Sequence, residues 1–351
     1  VGSSLWVMVL AGGKGERFWP LSTTGRPKPL LDLGMGRSLL DDTLRRAGKV
    51  AAPSRTRVVA AEQLAPSLRK EIRKHRGVGI LLEPAARNTG PAALLATRWV
   101  WERDPEATVL LLPSDHGVRG LLPFRGAVQK ARRLAGKGFL VTFGVKPTGP
   151  APEYGYILRG DPLEPAGHHV SRFVEKPSRA SALGLIRRGA LWNSGMFVWK
   201  AATFLEEAMR CEPSFGRWLR IANSDGIASG RAVRAFTRLQ PLPVDRAVLE
   251  RSGQVAVVEA RFRWSDLGSW SALYELSRRD AHRNVGIGNF VALSSSDNLI
   301  YSDQGLCVLH GVKGLLVARS GNVVLVCPRH KASEMKQIVR EIRIRGLGGY
   351  L

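Results

Sequence analysis

The feature that most limits how this chain can fold is an alternation, from Leu5 to about Phe143, of short apolar runs with longer stretches of helical period. That is the pattern of βαβ units around a parallel sheet. The runs Trp6–Leu10, Arg57–Ala60, Gly79–Leu82, Thr108–Leu112 and Phe139–Phe143 read as strands. Between them, Ser38–Lys49, Gln63–Arg76, Gly90–Trp101 and Phe124–Ala135 have the length and composition of helices. Right-handed crossovers gather the loops that follow such strands on one edge, where open α/β sheets bind ligands. Motifs at strand C-termini are therefore the first to inspect.

From Tyr154 to about Arg263 the pattern is mixed. Gly155–Arg159 and Val170–Val174 read as strands and Ser178–Arg188 and Ala201–Met209 as helices, an insertion that completes a substrate site. Beyond Asn284, short β-rich pieces (Asn289–Leu293, Asn298–Tyr301, Leu306–His310, Gly314–Ala318, Val323–Val326) recur every 8 to 9 residues between Gly, Ser, Asp and Asn turns. They predict a separate small β domain, although no clean hexapeptide repeat argues for a β-helix from periodicity alone. In the tail, Ala332–Arg345 sets Met335, Ile338, Val339 and Ile342 on one helix face.

Composition narrows the functional classes. The 351 residues, 44% hydrophobic and 23% charged, suffice for a buried core of roughly 200 residues and a smaller appendage, and exclude a miniprotein or a disordered chain. Cys211, Cys307 and Cys327 are odd in number and show no C-x-x-C spacing, which argues against a disulfide framework or thiolate zinc site and for a reducing, cytoplasmic setting. No run approaches the 18 or more apolar residues of a membrane helix, so no membrane partner is expected. Leu5–Ala11 lacks the basic region of a signal peptide and reads as a first strand, with Val1 to Ser4 set aside as a processing remnant. The 53 Lys and Arg against 29 Asp and Glu give +24, which favours anionic ligands. Because the basic residues are scattered and no nucleic-acid motif accompanies them, they predict attraction of polyphosphates rather than a specific nucleic-acid partner.

The segment Leu10-Ala-Gly-Gly-Lys-Gly-Glu-Arg-Phe-Trp-Pro-Leu-Ser22 is a glycine-rich turn directly after the first strand. Glycines let backbone N–H groups approach phosphate oxygens, and Arg17 adds a forked, charged contact. The spacing is neither a Walker A loop nor the dinucleotide fingerprint, which needs a third glycine where Phe18 stands. A plain strand-to-helix turn is the alternative, less favoured once Pro27-Lys28-Pro29 presents a lysine from a rigid extended segment. Asp115, after the strand Thr108–Leu112, can face the ligand edge and hold a hard cation, Mg²⁺ above all, with Asp266 as a second carboxylate; its other reading is a helix N-cap. Glu83 is suited to guanine, whose adjacent N1–H and N2–H one carboxylate can accept. Histidine metal sites are not expected: His116 follows Asp115, and His168-His169 read as loop.

On these residues the chain resembles the sugar-1-phosphate nucleotidylyltransferases, and among them the mannose-1-phosphate guanylyltransferase family. The resemblance is carried in order by Leu10–Ser22, Pro27-Lys28, Glu83-Pro84-x-x-Arg87-Asn88-Thr89, Leu112-Pro-Ser-Asp-His116, Pro147-Thr148 to Tyr154-Gly155-Tyr156-Ile157, Phe173-Val-Glu-Lys-Pro177, Trp192-Asn-Ser-Gly-Met-Phe197 and Trp264-Ser-Asp-Leu-Gly-Ser-Trp270. It covers about three quarters of the chain, with weaker similarity to about Val326. It implies an α/β, Rossmann-like (GT-A-like) nucleotidyltransferase domain over 1–283 with a mixed, mainly parallel sheet. A small C-terminal β domain, β-helix-like and ending in a helix, is then expected over 284–351.

The implied reaction is attack of mannose 1-phosphate on the α-phosphorus of GTP, with pyrophosphate leaving in line and Mg²⁺ as cofactor. No protein nucleophile is needed, so positioning and charge neutralisation dominate. By resemblance Arg17 takes the leaving pyrophosphate, Lys28 the nucleotide phosphate and Lys176 the incoming sugar phosphate. Leu10, Ala11, Gly12, Gly13, Gly15, Glu83, Asn88, Thr89 and Ser114 line the nucleotide; Gly155, Glu175 and Asn193 meet the sugar; Asp115 and Asp266 bind the metal. Asp245 lies in Pro243-Val-Asp-Arg-Ala-Val-Leu-Glu250, a degraded form of a family segment, and its role stays open. Pro29, Lys14 and Glu16 also depart from the family pattern. Another sugar 1-phosphate and nucleotide pair, such as glucose 1-phosphate, is the alternative activity. A catalytically silent sensor of sugar nucleotides is a second, disfavoured by retention of Arg17, Lys28, Asp115, Lys176 and Asp266. The chain reads as too short for the fused isomerase domain of longer members, and a two-fold homodimer is the default expectation.

Overall fold

The computed structural model describes residues 3–13, 15–164 and 166–351. Lys14, one of the expected departures, lies outside them. The chain divides into two compact units, residues 1–12, 43–114 and 118–264 in the first, and 13–42, 115–117 and 265–351 in the second.

The first unit is built on a nine-stranded sheet: β1 (Leu5–Leu10), β2 (Thr56–Ala61), β3 (Gly79–Glu83), β4 (Thr108–Pro113), β5 (Leu140–Val145), β6 (Gly155–Leu163), β7 (Gly167–Glu175), β8 (Leu191–Lys200) and β9 (Val255–Glu259), in the order β3-β2-β1-β4-β8-β5-β9-β7-β6. β3, β2, β1 and β4 run parallel, as do β5 and β9, while β8 is antiparallel to both β4 and β5, and β7 to β6 and β9. β1 is apolar throughout because β2 and β4 flank it and both its faces are covered. Strand order reverses beside β1, with β2 and β4 on opposite sides, so the carboxyl ends of β1 and β4 open a crevice.

One face of this sheet is closed by helices α1 (Thr89–Trp101), α2 (Ala201–Cys211) and α3 (Pro213–Asp225), whose apolar residues share a core with Met8, Val109, Leu111 and Trp199. Trp199 stacks on Phe204 with ring centroids 4.1 Å apart, and its indole N–H donates to Thr97 Oγ1 at 3.1 Å. Its apolar bulk is thereby buried without an unpaired donor.

Several expectations change here. His168-His169 are not loop but lie on β7, where His169 Nε2 meets the Gly253 carbonyl at 2.9 Å. The expected strand Val170–Val174 falls within β7, whose polar first residues at a partly covered edge of the sheet give no alternation to register. β8 hides behind Asn193-Ser194-Gly195, which interrupt its apolar run although it is central.

In the second unit, Val285–Ile287, Leu299–Ser302 and Leu315–Ser320 stack as parallel rungs, and Phe290–Leu293 pairs parallel with Cys307–His310. This is the coil of a β-helix, closed by an antiparallel strand, Val323–Pro328. At one corner Asn298 Nδ2 donates to Asn284 Oδ1 at 3.0 Å, and Asn298 Oδ1 accepts from the Leu315 N–H at 2.8 Å. These ladder steps are 14 and 17 residues apart, so unequal coils erase a hexapeptide period from the sequence. The expected tail helix begins as a 3₁₀ turn, Arg329–Glu334, and continues as an α-helix, Met335–Ile344, with Met335 and Val339 buried.

The second unit also contains the segment 13–42. Phe18, Trp19, Leu21, Leu31 and Leu33 share one core with Trp270, Tyr301, Leu316, Met335 and Val339. Trp270 Nε1 donates to the Trp19 carbonyl at 3.2 Å, tying this segment to the β-helix base. Among the described residues no helix is long and apolar enough to cross a membrane.

Candidate active site

In the second unit the glycine-rich turn is set by Gly15, which has φ 72° and whose added Cβ would lie 2.6 Å from Lys28 Cβ. Only glycine accepts both the left-handed backbone and that approach. Gly15 O accepts from the Phe18 N–H at 2.8 Å and from the Ser22 hydroxyl, closing the turn. Arg17 projects into solvent from the following 3₁₀ turn, with no protein partner for its guanidinium among the described residues. Glu16, one of the departures, lies 3.9 Å from Arg343.

Lys28 is buried, and its ammonium joins the two expected metal ligands. Nζ lies 2.8 Å from Asp115 Oδ2 and donates to the Asp266 main-chain carbonyl at 2.9 Å. Asp266 Oδ1 accepts from the Gly268 N–H at 3.0 Å, which fixes the carboxylate on its turn. Burial by itself would push the Asp115 carboxyl up, but the Lys28 ammonium, the His116 ring and the hydrogen bond from Lys28 together hold it below the ordinary aspartate range. Asp115 is thus a carboxylate at neutral pH; it caps no helix, because a short strand, Gly117–Arg119, follows it and Gly120 precedes the next helix.

These residues fit a hard divalent cation. The Asp115 carboxylate and the Asp266 main chain both meet Lys28, so two aspartates stand about one lysine, and their carboxylates are the sparse oxygen set expected of an ion that keeps waters and takes phosphate oxygens. Among the described residues no group of three or more His, Cys, Asp or Glu gathers to hold a metal by protein alone.

In the first unit Leu10, Ala11 and Ser114 stand at or just beyond the carboxyl ends of β1 and β4, Ala11 and Ser114 fully buried. The Ala11 N–H donates to the Val59 carbonyl at 2.8 Å and the Ser114 N–H to the Leu10 carbonyl at 3.0 Å, which fixes where both strands end. Gly12 has open space around it, and Gly13, in the second unit, would bring a Cβ only to 3.8 Å from Asp115 Oδ2. Glu83, at the end of β3, is 6% exposed, and burial raises its carboxyl to about 7. Asn88 caps α1 by accepting from the Thr89 N–H at 2.8 Å, while Thr89 Oγ1 accepts from the Val244 N–H at 3.0 Å. Both side chains are engaged in shaping the loop after Glu83.

The residues expected at the sugar gather where β6 and β8 begin and β7 ends. A Cβ on Gly155 would sit 2.6 Å from Glu175 Oε2 and 3.3 Å from Asn193 Cβ, so glycine makes room for both. Lys176, with φ 49°, is exposed, and its ammonium lies 3.3 Å from Glu175 Oε1. Asn193 Nδ2 donates to Asp245 Oδ1 at 2.7 Å. Sequence reasoning left Asp245 without a role; 52 residues of separation gave no signal that it meets Asn193.

Comparison with known proteins agrees with this geometry. The family model described as nucleotidyl transferase matches residues 6–283, and that of the MannoseP isomerase/GMP-like beta-helix domain matches 288–342. The chain is 35% identical over 357 residues to mannose-1-phosphate guanylyltransferase of Escherichia coli K12, covering 98% of this chain and 74% of that protein. It is 34% identical to mannose-1-phosphate guanylyltransferase of Salmonella montevideo, covering 96% and 74%. The crystal structure of mannose-1-phosphate geranyltransferase from Thermus thermophilus superposes with a TM-score of 0.90 at 37% identity, covering 97% of this chain and 99% of that one. Glycine turn, buried lysine, paired aspartates and matched sequence lead to one conclusion: the chain belongs to the nucleotidyl transferase family and carries the beta-helix domain after it.

Proposed function

We propose that the chain transfers the guanylyl group of GTP to mannose 1-phosphate, giving GDP-mannose and pyrophosphate. A phosphate oxygen of the sugar phosphate bonds to the α-phosphorus of GTP as the bond from that phosphorus to the β-phosphate bridge oxygen breaks, and pyrophosphate carries away the electron pair. The carrying observation is the Lys28 ammonium shared between Asp115 and Asp266 next to the Gly15 turn.

Two of the three N–H groups of Lys28 are taken by Asp115 and Asp266, so one is left for a nucleotide phosphate oxygen. Arg17, unpartnered and exposed, receives the leaving pyrophosphate, whose charge its planar fork matches. Lys176 steers the incoming sugar phosphate. Glu83 in its ionised form accepts N1–H and N2–H of guanine, and an adenine would leave this buried carboxylate unpaired. Asp115 and Asp266 would hold Mg²⁺, which would supply charge neutralisation at the phosphate oxygens. The three cysteines are free thiols, which supports a cytoplasmic setting.

The test is pyrophosphate release from a matrix of GTP, ATP, UTP and dTTP against mannose 1-phosphate and glucose 1-phosphate, with and without Mg²⁺. Mg²⁺-dependent release confined to GTP with mannose 1-phosphate is expected. Release from another pair discards this substrate assignment, and no release with GDP-mannose still bound makes the chain a sensor.

A further inference from the structure

The proposed reaction makes no use of the contact between Asn193 and Asp245. An asparagine amide has two N–H donors and one carbonyl acceptor. Asn193 Oδ1 already accepts from Thr142 Oγ1 at 2.8 Å and from the Gly195 N–H at 3.3 Å, while one N–H is given to Asp245 at 2.7 Å. Thr142 is fully buried on β5 and its hydroxyl also reaches the Met196 carbonyl at 3.4 Å; turning the amide over would set the amide nitrogen against the Gly195 N–H and the amide oxygen against the Asp245 carboxylate. Both ends of the Asn193 amide are therefore held by the chain, and a single N–H remains.

Glu175 stands close by. Its Oε2 and Asn193 Cβ flank the same point above Gly155, at 2.6 and 3.3 Å, and its main-chain N–H donates to Glu250 Oε1 at 3.0 Å. Burial first, and then the charge of Glu175, raises the Asp245 carboxyl to about 7, with Asn193 and Lys176 pulling the other way. Asp245 begins a π-helical turn, Asp245–Leu249, a local irregularity that often marks a working position.

We propose that Asp245 is the positioning residue of the sugar subsite: with Thr142 it locks the Asn193 amide so that one N–H stands beside the Glu175 carboxylate, a donor and an acceptor matched to one sugar hydroxyl. This rests on the reading above that Asn193 and Glu175 meet the sugar. Asp245 itself need not touch substrate. A hydroxyl fits the pair because it can accept from the amide and donate to the acid at once.

The test compares the wild-type chain with Asp245→Ala, Asp245→Asn and Thr142→Val. Asp245→Ala removes the acceptor; Asp245→Asn keeps a carbonyl in place of it; Thr142→Val removes the donor at the other end with little change in shape. Asp245→Ala and Thr142→Val are each expected to raise KM for the sugar phosphate about tenfold while KM for the nucleotide stays within about twofold, and Asp245→Asn to restore most of the loss. Should Asp245→Ala not fold, Thr142→Val decides alone. Sugar-phosphate KM unchanged in both, or a loss shared equally with the nucleotide, overturns the inference. If the wild type releases pyrophosphate from no pair, the functional reading has failed. Calorimetric titration with mannose 1-phosphate and glucose 1-phosphate then reads the same affinity difference, and wild-type binding to neither overturns the inference as well.

Discussion

On the proposed reading, Glu83 links base choice to protons. Its carboxyl titrates near 4.5 when unfolded and near 7 in the folded chain, so it favours the folded state fully below about 4.5, loses that advantage as pH rises to about 7, and is neutral to further increase. Guanine recognition runs the other way, because only the ionised form accepts two N–H groups. KM for GTP is therefore expected to rise roughly tenfold between pH 8 and pH 6 while any ATP turnover stays flat, and Glu83→Gln should flatten the GTP profile; a GTP profile identical in both proteins would exclude Glu83 as the base reader. Gly15 offers a second residue-scale test. Gly15→Ala combines φ 72° with a 2.6 Å approach to Lys28, so a loss of about 1–3 kcal/mol in stability and of more than tenfold in kcat should appear together in melting and turnover assays. Gly15 and Lys28 were legible in the sequence because each has a chemical reason to be there. Asp245 was not, since the hydrogen bond that gives it a task spans two distant segments.

At the scale of elements, the strands buried on both faces announced themselves as apolar runs, and β1, β2 and β4 fall close to where periodicity put them. What escaped was set by context. Of β7 only the polar start, Gly167–His169, went unread, β8 is broken by Asn193-Ser194-Gly195, and the arginine-bearing amphipathic helix Gly230–Thr237 was not assigned. The β-helix is held less by a sequence repeat than by its asparagine corner. Asn298 is fully buried and serves Asn284 Oδ1, the Val312 carbonyl and the Leu315 N–H at once. Asn298→Ala strands these groups, so about 2–4 kcal/mol should be lost from the second unit, read as an earlier unfolding transition by calorimetry; an unshifted transition would mean that water replaces the amide.

For the whole molecule, the +24 charge acts at a distance. Polyphosphate substrates should be drawn in more strongly at low ionic strength, so KM for GTP is expected to climb as salt rises from about 50 to 300 mM, more steeply than any change in kcat. Binding to bulk nucleic acid should fade over the same range and show no preference for sequence. The shared core of Phe18, Trp19 and Leu21 with Trp270, Tyr301 and Met335 carries a different consequence, one of timing. During synthesis the glycine-rich turn leaves the ribosome before the surfaces that back it, which follow about 250 to 315 residues later. At about 5–20 residues per second that is a wait on the order of 10–60 s with aromatic side chains uncovered. Until those later residues are made, the nascent chain is most exposed to chaperones at the glycine-rich turn, whose core is completed only from the distant end of its own unit.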